Sequence, residues 1–120
     1  RLAELYYYLA VIRLYQVRKA EAEKLLNYVR KSYYPAGSSS LYPENGSALT
    51  EQELLDEWGR EFLGEGLRRQ TLCRFGIFNS GTWWDKEPDP DNHTMWIPLS
   101  RTTLNTNPNL KQNPGYPSVN

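Results

Sequence analysis

The sequence predicts an all-α chain: tetratricopeptide-like helical hairpins ended by a loop-rich C-terminal strap. Three observations carry that prediction. Residues 2–16 and 20–33 place apolar side chains at helical spacing, with only a few residues between the two stretches. Thr50-Glu51-Gln52-Glu53 spells a helix start. From residue 76 onward Pro, Gly, Asn and Ser interrupt every long periodicity.

The first helix sets Leu2, Leu5, Leu9, Ile12 and Gln16 on one stripe, and Tyr6, Tyr8, Val11 and Tyr15 widen it. A helix that is apolar on more than one side normally lies between neighbours, so this one is expected to be the most buried. The second helix carries Ala22, Leu25, Leu26, Val29 and Tyr33 on one face, with Glu21, Glu23, Lys24, Arg30 and Lys31 mainly on the other. The short break around residues 17–19 makes the two an antiparallel hairpin, and Pro35 and Gly37 end it.

Residues 35–48 form a loop rich in Pro, Gly, Ser and Asn. In the capping box after this loop, the Thr50 hydroxyl accepts from the Glu53 amide and the Glu53 carboxylate reaches back to the Thr50 amide; Leu49 and Leu54 are the staple. The third helix points Leu54, Leu55, Trp58 and Phe62 inward and ends at Gly64 or Gly66. Residues 67–75 make a further short helix with Leu72 and Phe75 inward. Two hairpins within the first 75 residues suggest a tetratricopeptide-like array, although the first hairpin lacks the full repeat consensus. In the tail, two Asn-Pro steps and one Pro-Gly step forbid a long helix or regular strand. Trp96, Ile97, Leu99, Leu104, Leu110 and Tyr116 are the expected anchors of an irregular strap laid over a folded body. The expected organisation is one domain portion, 1–120: hairpin 1–34, helix region 50–75, loop and strap 76–120.

Composition narrows the function. Lys plus Arg equals Asp plus Glu, at 14 each. A neutral chain has no basic face with which to displace nucleic-acid counterions or to hold an anionic membrane. The single cysteine, Cys73, excludes an intrachain disulfide, and no apolar run approaches bilayer-spanning length. The chain starts at Arg1 inside a helical pattern, without an initiator Met, signal peptide or lipid-accepting Cys, and is expected to be the C-terminal piece of a longer protein.

Among chemistry-bearing residues, Trp83, Trp84 and Asp85 stand out as a ligand-binding set. Sugars present flat C–H faces rimmed by hydroxyls, and an aromatic ring beside an acid meets both. From the residues alone the favoured reading is that one or both rings pack the loop onto the helices, since large aromatics bury readily. Glu51, Glu53, Asp56, Glu57, Glu61 and Glu65 are numerous enough to suggest a glycosidase pair. The spacings Asp56–Arg60 and Glu65–Arg69 favour ion pairing instead, with Glu61, Glu65, Arg68 and Arg69 tying the third helix to the segment after it. Asp85, Asp89, Asp91 and Asn92 fail the EF-hand spacing, and Pro88 and Pro90 stiffen the loop, so no metal is expected. His93 is the sole histidine, and Cys73 reads as a small core residue. Asn45-Gly46-Ser47 and Asn92-His93-Thr94 match a glycosylation pattern by coincidence. Neither a catalytic residue nor a cofactor is expected.

Five pieces in order carry a resemblance. They are Arg1-Leu2-Ala3-Glu4, Glu21 to Arg30 around Leu25-Leu26-Asn27, Leu54 to Gly66, Arg68 to Gly76 with Arg74-Phe75-Gly76, and the ending from Ile97-Pro98 through Asn107-Pro108-Asn109-Leu110 to Gln112-Asn113-Pro114-Gly115-Tyr116. Together they resemble the C-terminal part of the SusD/RagB family of outer-membrane glycan-binding lipoproteins. Thr71 stands where that family usually has an acidic residue, and Cys73 where it has an aliphatic one. The resemblance implies non-catalytic capture of oligosaccharide or polysaccharide at the cell surface. It also implies a SusC-like TonB-dependent transporter as partner, and attachment through a lipid anchor absent from these 120 residues. A tetratricopeptide-like scaffold that binds protein without sugar is the alternative.

Overall fold

The computed structural model describes residues 1–81 and 87–118. The described residues are helical, with no strand among them. The elements are α1 (Leu2–Tyr15), α2 (Lys19–Arg30), α3 (Glu51–Glu61), α4 (Arg68–Arg74), a 3-10 turn (His93–Met95) and α5 (Arg101–Thr106). Contacts group them into two compact units, Arg1–Gly66 and Leu67–Asn120.

In the first unit α1 and α2 pack as the expected hairpin. The chain leaves α1 through a Schellman closure: Arg18 N–H donates to Arg13 O and Val17 N–H to Leu14 O. That geometry needs a left-handed residue, and Val17 fills it at φ +61°. β-branched residues rarely adopt that conformation, so three connecting residues are obtained at a local conformational cost.

The buried face of α1 differs from the expected one. Tyr7 and Ala10 are fully buried, while Leu2 and Leu5 are 69% and 62% exposed and Leu9 and Ile12 also reach solvent. The expectation that α1 is the most buried helix is therefore overturned. The reason is steric. Ala10 on α1 and Ala22 on α2 are both fully buried. Small side chains let helices approach closely, and the larger leucine stripe is left facing solvent. The remaining contacts of α1 go to α3, where the Tyr7 ring meets Trp58 at 5.5 Å and Phe62 at 5.2 Å, both edge-on.

α2 also departs from a simple amphipathic helix. Ala22, Leu26 and Val29 are buried as expected, but so are Glu23 and Asn27. These two, with Arg30, form a polar stripe that turns inward. Glu23 accepts from the amides of Gly46 (2.8 Å), Ala48 (2.9 Å) and Leu49 (3.0 Å). Asn27 donates to Tyr42 O and accepts from Tyr42 N, both at 2.9 Å. The loop from 35 to 48, without regular structure of its own, is thus folded onto α2 by two side chains that satisfy its backbone. At Gly46, φ is +82° and an added Cβ would sit 3.1 Å from Lys19 Cβ, so the position strongly favours glycine.

α3 starts as the capping box requires on one arm only. Thr50 Oγ1 accepts from the Glu53 amide at 3.1 Å. The Glu53 carboxylate instead takes the Tyr42 hydroxyl (2.8 Å) and Arg60 Nη2 (2.6 Å). Both staple residues, Leu49 and Leu54, are buried, as are Leu55, Trp58 and Phe62.

In the second unit α4 buries Leu72 and Thr71, the Thr71 hydroxyl donating to Leu67 O within its own turn. Phe75 and Cys73 are only partly covered, so Cys73 is not the core residue expected. The tail contains a short helix, α5, started by Ser100 Oγ accepting from the Thr103 amide at 3.1 Å. Its expected apolar anchoring does not hold for Trp96, Ile97 and Leu110, which are 60%, 72% and 40% exposed. Polar clamps fix the tail instead. Gln112 both donates to Leu99 O (3.0 Å) and accepts from Leu99 N (2.9 Å), and Asn113 donates to Ile97 O (2.8 Å).

Candidate functional site

Trp83, Trp84 and Asp85 lie outside the described residues. The ends of the loop that carries them are described, and one buried residue closes its base. Asn79 O accepts from the Asp89 amide at 2.9 Å. Asn79 Nδ2 donates to Asn92 Oδ1, and its Oδ1 accepts from the Thr94 hydroxyl, both at 3.1 Å. Asp89 continues the clasp, accepting from the Thr94 amide (2.8 Å) and hydroxyl (2.7 Å). Arg69 on α4 donates to Thr94 O and Met95 O at 3.0 Å and lies 5.0 Å over the Phe78 ring. The two ends of the loop, at Asn79 and Asp89, are therefore fixed to each other.

Asp89 and Asp91 converge on His93. Nδ1 of the imidazole is 2.9 Å from an Asp89 oxygen and 2.6 Å from an Asp91 oxygen. Asp91 chiefly, then Asp89, raises the His93 pKa against the opposing effect of desolvation. Hydrogen bonding by Thr94 dominates the lowering of Asp89, to about 2. Of the oxygen cluster read from the sequence, Asp85 lies outside the described residues and Asn92 is turned to Asn79. The remaining acids, Asp89 and Asp91, both face His93, and the three side chains offer ligand atoms within 4.8 Å of one another.

Of the acidic residues read from the third helix, Glu53, Glu57, Glu61 and Glu65 pair with arginines. Glu57 is buried and accepts from Arg30 Nε (2.7 Å) and Nη2 (2.8 Å), Arg60 Nε (3.0 Å) and Tyr7 Oη (3.1 Å). Burial pushes its pKa up, but the Arg30 hydrogen bonds and charge, with those of Arg60 and Tyr7, outweigh burial and leave it lowered. A carboxylate so fully occupied is a structural anchor rather than a proton-transfer group. Arg30 also donates to Ser40 O and lies 4.3 Å over the Tyr42 ring. The pairing expected from sequence spacing is corrected in detail. Asp56 accepts from Gln52 rather than Arg60. Glu61 and Glu65 pair with Arg1, at 3.2 and 2.6 Å, while Arg69 serves the 94–95 backbone.

The SusD family model matches residues 1–91. The chain belongs to the SusD family. Over 75 residues it is 43% identical to the starch-binding protein SusD of Bacteroides thetaiotaomicron, a stretch covering 57% of this chain and 14% of that relative. The chain thus matches only a small part of that SusD protein's length. No solved structure matches it. The family match takes in Trp83, Trp84 and Asp85 and stops before His93. The structural residues that sequence reasoning missed are Glu23 and Asn27, which hold the backbone of residues 42–49, and Asn79, which ties residue 89 to residues 92 and 94. Glu23 and Asn27 left one signal: they stand four apart beside the Ala22–Leu26 stripe, ahead of a loop whose backbone amides need partners.

Proposed function

We propose that this SusD-family chain contributes to non-catalytic capture of glycans at the outer membrane, for uptake through a partner SusC-like TonB-dependent transporter. The observation that carries the reading is family membership together with 43% identity to a relative named for starch binding. The residues supply a means. Trp83 and Trp84 offer flat apolar faces, Asp85 offers a hydroxyl acceptor, and the Asn79 clasp fixes both ends of the loop that carries them. In the same reading the protein sits on the cell surface through a lipid anchor outside these residues.

A second reading, a tetratricopeptide-like scaffold for protein contacts, is favoured by one observation: the exposed Leu2, Leu5, Leu9 and Ile12 stripe of α1. Intrinsic tryptophan fluorescence during titration with starch-derived and other neutral oligosaccharides separates the two. Glycan capture predicts a saturable change that is lost in Trp83→Ala/Trp84→Ala. A flat titration with every sugar, in a folded chain, favours the scaffold.

A further inference from the structure

We propose that His93 is a proton-controlled pin that fastens the 113–116 segment of the tail to the turn formed by residues 89–96. The pin is built from three contacts on one ring. Its Nδ1 edge faces Asp89 and Asp91 at 2.9 and 2.6 Å. Its plane meets the Tyr116 ring edge-on with centroids 5.0 Å apart. Its Cβ lies so close to Gly115 that a Cβ added there would be 2.2 Å away. Tyr116 then closes the connection by donating to Trp96 O at 2.9 Å. The imidazole is thus the spacer between two carboxylates on one side and the Gly115-Tyr116 backbone on the other.

Among the described residues, the charged and titratable groups around it are few. From its own turn come Asp89 and Asp91; from the tail comes Tyr116; from α4 comes Arg69, which is directed to the carbonyls of Thr94 and Met95. A neutral imidazole offers at most one N–H to two anionic oxygens and leaves their mutual repulsion uncompensated. An imidazolium supplies the missing charge. The sign follows from the raised pKa of His93. The pin is complete below the ordinary imidazole value of about 6.5 and is lost as pH rises through the higher folded-state value. On the acid side the contribution of Asp89 is lost as pH falls through its lowered value of about 2.

The consequence reaches a concavity of about 590 Å³ along the tail, whose lining includes Asn105, Leu110, Gln112, Gly115 and Tyr116. Gln112 and Asn113 hold their own clamps to Leu99 and Ile97 at any of these pH values. Loss of the pin therefore loosens the wall at Gly115 and Tyr116, which keeps only the Tyr116 hydroxyl bond to Trp96 O towards that turn, while the wall at Gln112 stays in place.

As the chain has one histidine, its imidazole proton signals report His93 alone. The test is an NMR titration of the full chain from pH 5 to 9, following His93 and the Gly115 amide together. The expected result is a His93 midpoint above that of a free imidazole, with the Gly115 amide moving at the same midpoint. Asp91→Asn, at an exposed position, is expected to lower both midpoints together. His93→Gln is expected to abolish the Gly115 transition. A His93 midpoint at or below the free-imidazole value overturns the proposal. So does a Gly115 amide that does not follow His93 in the folded wild type, or midpoints unmoved in Asp91→Asn.

Discussion

Glu23 is the side chain on which the first unit depends most visibly. It is fully buried and serves three backbone amides of the 46–49 segment. Hydrogen bonds to a charged acceptor are worth about 1.5–3 kcal/mol each, and buried amides left without an acceptor carry a desolvation cost. Glu23→Ala is expected to lower unfolding stability by about 3 kcal/mol or more, measured by chemical denaturation. A loss below about 1 kcal/mol would mean that water replaces the carboxylate. Val17 makes the opposite prediction. It is exposed and held at φ +61°, where an L side chain costs about 1–2 kcal/mol that glycine does not. Val17→Gly is expected to raise stability by about 1 kcal/mol after glycine's larger chain-entropy cost is subtracted. An unchanged or lower denaturation midpoint would contradict the Schellman geometry. Glu57 adds a pH dependence. Its lowered pKa contributes stability that is complete above the ordinary carboxylate range and is lost as pH falls through the lowered folded-state value. Replacing Arg30 with Ala should weaken the protein and shift its acid unfolding midpoint to higher pH.

Among the elements, α3 was the most legible in the sequence and α1 the least. The start of α3 was marked by a capping residue whose chemistry is local, and Thr50→Ala is expected to cost about 1 kcal/mol in a thermal or denaturant melt. An unchanged melt would show that Thr50 does not cap α3. The second arm of the box was not legible, because Tyr42 and Arg60 compete for Glu53 and both arrive from elsewhere. For α1 the periodicity located the helix but not its buried face. Hydrophobicity ranks leucine above alanine, whereas close packing against α2 selects Ala10 and Ala22. Ala10→Leu is accordingly expected to cost about 1–3 kcal/mol by overpacking, while Leu5→Ser is nearly neutral in the same melt. For α2 the helix and its apolar stripe were legible, but a polar stripe turned inward looks like a solvated one until its partners are placed. The candidate site at Trp83, Trp84 and Asp85 was proposed from residue type and lies outside the described residues, whereas the Asn79 clasp beside it depends on contacts 10 to 15 residues apart and leaves no local pattern.

For the whole molecule, the proposed glycan capture rests on the family match over residues 1–91 and on two adjacent tryptophans in the sequence. The exposed leucine and isoleucine stripe of α1 is a second molecular property, and it should make the chain bind an apolar dye or self-associate in sedimentation. Replacing Leu2, Leu5 and Leu9 with Ser should suppress both without unfolding the hairpin. The central claim is tested most directly by affinity electrophoresis of the folded chain through native gels containing soluble starch or another neutral polysaccharide. The account predicts retarded migration of the wild-type chain in at least one polysaccharide and normal migration of Trp83→Ala/Trp84→Ala. Unretarded migration of the wild type in every polysaccharide, or equal retardation of the double variant, would contradict it.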